Sequence, residues 1–98
     1  MYIQNVLETG RSKVMVKDIL EYIGSDAERL AELMNLVLCD DETLSFNSSW
    51  VLYHALDVES LDFTPYTEPC IAPMMQPAHP MIERGLLKMF RVLDCWPE

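Results

Sequence analysis

Apolar residues along this chain recur at intervals of three and four, and no segment alternates apolar and polar positions strictly, so the pattern predicts helices throughout and no strands. Val16, Ile19, Leu20 and Ile23 stand at i, i+3, i+4 and i+7, with Lys17, Asp18 and Glu21 opposite. That spacing makes an amphipathic helix of about three turns. A short segment over 2–8 precedes it. Gly10 and Gly24 are placed to stop these two helices, because glycine enters the left-handed conformation of a helix end at little steric cost. Ser25 is expected to open a third helix through a Ser-x-x-Glu box, its hydroxyl accepting from the amide of Glu28 while the Glu28 carboxylate reaches back. Ala27, Leu30, Ala31 and Met34 form its stripe, and Leu33, Val37 and Leu38 widen it enough that the helix should pack on two sides.

Beyond Cys39, the carboxylates of Asp40, Asp41 and Glu42 suit a helix start, where they face free amides and the positive end of the macrodipole. The fourth helix is predicted over 42–58, with Trp50, Val51, Leu52, Tyr53, Ala55, Leu56 and Val58 making its C-terminal half apolar nearly all round. Residues 59–65 read as a connector. Pro65 or Pro69 fits the first turn of a fifth helix, where a missing amide breaks no bond, whereas Pro73 is expected to kink or end it. A sixth helix starts near Pro80 with Ile82, Leu86, Met89, Phe90 and Leu93 on its core stripe, and Pro97 limits its continuation.

Displacing the chain against itself by 37 residues lays the third and fourth helices on the fifth and sixth without a gap. Leu33, Met34, Val37 and Leu38 fall on Cys70, Ile71, Met74 and Met75, and Ser48 falls on Gly85. Trp50, Leu52, Tyr53, Ala55 and Leu56 fall on Leu87, Met89, Phe90, Val92 and Leu93. Such a period belongs to stacked helical hairpins, each with an apolar face that only a neighbour can cover. The expected organisation is one all-α domain, a right-handed α-α superhelix of about six helices. A capping helix pair occupies 1–25, and repeats occupy 26–62 and 63–98.

The stretches Asp40-Asp41-Glu42-Thr43-Leu44 to Trp50-Val51-Leu52 and Pro77 to Leu87 resemble the second helix of HEAT repeats, and Pro73 resembles the proline of the helix before it. Over nearly its full length the chain is similar to the N-terminal half of a family of small bacterial HEAT-like, armadillo-type proteins. Gly10-Arg11-Ser12-Lys13, Tyr22-Ile23-Gly24, Trp50 and Arg91-Val92-Leu93-Asp94 carry that resemblance. Two departures stand out: Asn47 replaces an arginine that the family tends to have, and the chain stops where the family continues into further helices. Some members carry the name adenylosuccinate lyase, but that activity implies a much longer chain and a serine-rich signature loop. The resemblance carries over no catalytic residue.

Composition narrows the partners. Seven basic residues against sixteen acidic ones give a formal charge of −9, which repels phosphate backbones and anionic lipid and favours a basic protein partner. Neither nucleic acid nor membrane is expected, and a nucleic-acid-binding HEAT-like module would need a basic concave face. Three cysteines without a CxxC pair fit reduced thiols, and no secretory leader or spanning run is visible, so a cytoplasmic location is expected.

The chemistry-bearing side chains read as structural, and no catalytic residue, metal site or cofactor is expected. Gly10-Arg11-Ser12-Lys13 lacks the strand and second glycine of a phosphate loop, and is better a helix stop followed by a Ser12 cap. Asp40-Asp41-Glu42 lacks the alternating spacing of a calcium loop. Cys70 aligns with a core leucine, His79 sits in a turn between prolines and is expected to be solvated, and His54 is a lone histidine on a helix. Met74, Met75, Met81 and Met89 are first of all core residues, pliable enough for one or two to serve a binding face.

Two repeats and a cap are a short stack. Leu86, Leu87, Met89, Phe90 and Trp96 exceed what one preceding hairpin is expected to cover. They are therefore the candidate partner-binding residues, to be covered by a protein partner or by self-association through the C-terminal helix. The function expected is a non-catalytic interaction scaffold using the groove lined by one helix of each hairpin. An enzyme answering to the lyase name is the rival reading.

Overall fold

A computed structural model describes residues 2–8 and 12–94, and among them every regular element is helical. The order is α1 (Tyr2–Glu8), α2 (Lys13–Ile23), α3 (Ala27–Val37), α4 (Glu42–Ala55), a 3-10 turn (Thr64–Tyr66), α5 (Ile71–Met75) and α6 (Pro80–Leu93). Six α-helices were expected, and six are found among the described residues.

Local chemistry sets the boundaries. The Ser12 hydroxyl accepts from the Met15 amide at 3.0 Å and starts α2. Gly24, at φ 53°, ends it by donating its amide to the Leu20 carbonyl at 2.9 Å. Gly10, the other expected stop, lies outside the described residues. The start of α3 corrects the capping-box expectation. Asp26, not Ser25, is the cap, its carboxylate accepting from Glu28 N at 2.8 Å and Arg29 N at 3.2 Å. The Gly24 turn occupies Ser25, so the first free amides of α3 fall one residue later. Asp41 starts α4 by accepting from Leu44 N at 3.0 Å, the capping role read from the acidic run. The helix ends at Ala55 rather than at 58.

The proline segment behaves differently from the expectation. Pro65 is the second residue of the 3-10 turn, but α5 starts only at Ile71, which leaves Pro73 in its first turn. An amide there has no intrahelical partner to lose, so Pro73 sits in α5 without breaking it. Turn residues and two short pieces thus stand where α3 has a continuous helix.

The packing is built around α4, which contacts α1, α2, α3 and α6. Leu30, Leu33, Met34, Leu36 and Val37 of α3 are buried, and α3 lies against α1, α2 and α4, on more than one side as its wide stripe implied. From the far side, Ile82, Leu86, Met89 and Phe90 of α6 close the core with Phe63, Cys70 and Met74. The crossing of α4 and α6 is close because of Gly85, where an added Cβ would stand 3.0 Å from the Ser49 carbonyl oxygen. No described helix is long and apolar enough to cross a membrane.

Candidate functional site

The second helix of each successive pair, α2, α4 and α6, turns a side toward solvent, and two grooves run between them. The first, of about 520 Å³, is lined by Lys13, Val16, Lys17, Leu20 and Glu21 of α2 and by His54 of α4. The second, of about 400 Å³, is lined by Tyr53 of α4 and by Pro80, Glu83, Arg84, Leu87, Lys88 and Arg91 of α6. The grooves meet at α4, where the Tyr53 and His54 rings touch edge to face with centroids 5.7 Å apart. Trp50 extends that ridge by one turn, its ring 5.6 Å from His54. Aromatic side chains present broad apolar area at small entropic cost, so a half-buried ridge between two grooves suits contact with another macromolecule.

Lys88 is the least expected member of this face. Its side chain is only 10% exposed, and Nζ lies 3.1 Å from Asp57 Oδ1. It also donates to the Tyr53 carbonyl at 2.6 Å and lies 4.1 Å from the centroid of the Tyr53 ring. Tyr53 is in the last turn of α4, where carbonyls lack helical partners and the macrodipole is negative. Lys88 therefore caps α4 from α6 and holds the Tyr53 ring in place, tying the two walls of the second groove together.

The apolar candidates of the C-terminal helix are divided by the fold. Leu86, Met89 and Phe90 are fully buried in the chain's own core, which corrects the expectation that they stand on an uncovered face. They lie on one stripe with Ile82, and α4 together with α5 covers that stripe. Leu87, 38% exposed, does reach the surface and lines the second groove. Trp96 lies outside the described residues.

The side chains weighed for chemistry are occupied structurally. Cys70 is buried, and burial pushes its thiol up to about 11, far from the thiolate a nucleophile needs. His79 is not simply solvated: its Nδ1 accepts from the Met81 amide at 3.0 Å, capping α6, and its ring stands edge-on to Phe46 at 4.5 Å. Of the four methionines, Met74 and Met89 are buried, Met81 is half-buried and Met75 is exposed. No group of three His, Cys, Asp or Glu that could hold a metal ion occurs among the described residues.

Sequence reasoning passed over Lys13, Lys17, Arg84 and Arg91. The signal was present: Lys13 and Lys17 are four apart, and Arg84, Lys88 and Arg91 stand at i, i+4 and i+7, so each set lines one side of its helix.

A family model described as a HEAT repeat domain matches residues 3–95. The chain belongs to the HEAT repeat family. Its all-helical architecture agrees, and HEAT repeats commonly serve as protein-interaction scaffolds in a family that is generally non-enzymatic. No curated protein and no solved structure matches this HEAT repeat chain.

Proposed function

We propose that this HEAT repeat domain is a non-catalytic protein-interaction scaffold that receives its partner on the face shared by α2, α4 and α6. The observation that carries the reading is the pair of adjoining grooves separated by the ridge of Trp50, Tyr53 and His54. The helical stack is read as a capping pair over 1–25 and two repeats over 26–62 and 63–98, so the face runs through all three units. Catalysis is disfavoured because His54 is bracketed by aromatic rings, His79 caps a helix and Cys70 is a buried neutral thiol.

A photo-crosslinking residue placed at Leu20 or Leu87, in the two grooves, is expected to give the same saturable protein adduct. Placed at Asn35, an exposed position on α3, it should give none. Equal crosslinking from Asn35, or none from either groove, would reject the assignment of this face.

Self-association through the C-terminal helix is the second reading. Leu87 and Val92, 38% and 51% exposed, are the α6 side chains that favour it. A molar mass by light scattering that stays monomeric up to high micromolar concentration would rule it out.

A further inference from the structure

The charge of this face is opposite to that of the chain. Of the six basic residues among those described, five line the two grooves: Lys13 and Lys17 on α2, and Arg84, Lys88 and Arg91 on α6. Among the described residues, Glu21 and Glu83 are the acidic side chains that line the same grooves, with Asp57 reaching the edge through Lys88. Arg29 is engaged elsewhere, over the Tyr22 ring at 4.4 Å and donating to the Tyr22 carbonyl at 2.7 Å.

Among the described residues the basic side chains form two salt bridges, Lys17–Glu21 at 3.9 Å and Lys88–Asp57 at 3.1 Å, so Lys13, Arg84 and Arg91 have no carboxylate partner. The Lys17 pair is exposed and weakly held. Like charges four apart on a helix oppose its formation. The chain nonetheless carries such pairs at Lys13 and Lys17 and at Arg84 and Lys88, and both line the grooves.

Resting on the reading of this face as a docking surface, we infer that its partner is an acidic segment of another protein. Such a segment would have apolar side chains to set against Val16, Leu20 and Leu87 and carboxylates to meet Lys13, Arg84 and Arg91. The net charge argued for a basic partner, but at physiological ionic strength charges more than about 8 Å from a bound segment are largely screened. The local side chains therefore decide polarity. Charge complementarity at this range sets specificity and association rate. A nucleic acid is a poorer occupant, because its affinity grows with the number of phosphates neutralised and the face holds few unpaired cations inside a strongly acidic chain.

The test uses two matched amphipathic peptides, each with leucine along one helical face and either glutamate or lysine on the others, titrated into the ¹⁵N-labelled full chain. The glutamate peptide is expected to shift amides of α2 and α6 along the grooves. Its binding should weaken about tenfold from low to physiological salt. It should also weaken at least tenfold in the double variant Arg84→Glu, Arg91→Glu, whose unchanged circular dichroism and Tm would show that it is folded. If the lysine peptide binds the same grooves as tightly, the acidic polarity is wrong while the docking surface stands. If neither peptide touches the grooves, both readings fall. Two outcomes would overturn the acidic-segment assignment alone: groove shifts appearing with protein concentration and no peptide, which mean a second copy, and tighter groove binding by single-stranded oligothymidine.

Discussion

Helices α4 and α6 are both fourteen residues long and pack directly on each other, yet they treat polarity in opposite ways. α4 lies in the middle of the stack with neighbours on several sides. It buries Ser45, Asn47, Ser48 and Ser49 along with its leucines and valine. Among the described residues α6 packs on α4 and α5, buries one apolar stripe together with Lys88, and keeps Glu83, Arg84 and Arg91 outside. A helix enclosed by neighbours uses small side chains where they come close, and hydroxyls there must find partners within the protein. A helix covered along one side is free to carry charge on the other, as α6 does with Arg84 and Arg91. The contrast teaches that position in the stack, more than helix length, decides whether a polar side chain contributes to folding or to recognition.

The sharpest way to break the contrast is within α6 itself. Phe90→Ala should destabilise by about 3–5 kcal/mol, because a fully buried ring leaves a cavity that the core cannot refill. That is much of the roughly 5–15 kcal/mol available to a domain of ordinary size. Leu87→Ala, three residues away at the surface, should stay within about 1 kcal/mol. Urea unfolding of both variants checks the difference, and similar losses would mean that α6 is not packed as described.

Asn47 tests the polar interior of α4. Its side-chain amide donates to the Leu7 carbonyl at 3.1 Å and fastens α1 to the centre of the stack. Asn47→Ala leaves that carbonyl without its partner, for a loss of about 1–3 kcal/mol. Hydrogen exchange should locate the loss, with amides of α1 exchanging faster than those of α6. Uniform acceleration throughout the chain would show that Asn47 has no special hold on α1.

How much of this was legible in the sequence depends on what each feature requires. Helix periodicity and the Ser12, Gly24 and Asp41 ends are local, so spacing and residue type were enough to place them. The α3 cap was misplaced by one residue because Ser25 and Asp26 can both accept from an amide, and only the Gly24 turn decides between them. Pro73 looked like a breaker because nothing local revealed that the helix would begin as late as Ile71. The burial of Leu86, Met89 and Phe90 was implied by their shared stripe with Ile82, but how much of it a single hairpin covers is a tertiary quantity. The candidate surface was hidden for the opposite reason. Net charge averages over the whole chain, whereas a face samples a few positions from helices distant in sequence.

Gly85 sharpens the comparison at the point where the two helices touch. Alanine is worth about 1 kcal/mol more than glycine within a helix, which alone would stabilise the variant. Against that stands a Cβ 3.0 Å from a backbone carbonyl, an atom that cannot swing aside as a side chain could. Overpacking of this kind costs about 1–3 kcal/mol, so Gly85→Ala should lose about 1 kcal/mol net. A higher Tm for the variant would mean that the helices have room to separate and that glycine is not required at the crossing.

The smallest effect should come with the opposite sign, at Ser49. Three of the four buried polar side chains of α4 are satisfied: Ser45 donates to the Val37 carbonyl at 2.6 Å, Ser48 to the Ser45 carbonyl at 3.1 Å, and Asn47 to Leu7. The Ser49 hydroxyl is fully buried and has no hydrogen-bond partner among the described residues. Burying an unpaired hydroxyl is unfavourable by about 1–3 kcal/mol, so replacing it with hydrogen removes that penalty and sacrifices only the packing of one oxygen atom. Alanine is also the better helix former by a few tenths of a kcal/mol. Ser49→Ala should therefore stabilise by about 1 kcal/mol or less, read as a small rise in the urea midpoint at unchanged m-value. The same substitution at Ser45 should destabilise, because there the hydroxyl satisfies the Val37 carbonyl at the end of α3. If both alanine variants moved in the same direction, the pairing of each hydroxyl would not be what distinguishes the two sites, and the account of why α4 tolerates a polar interior would fail.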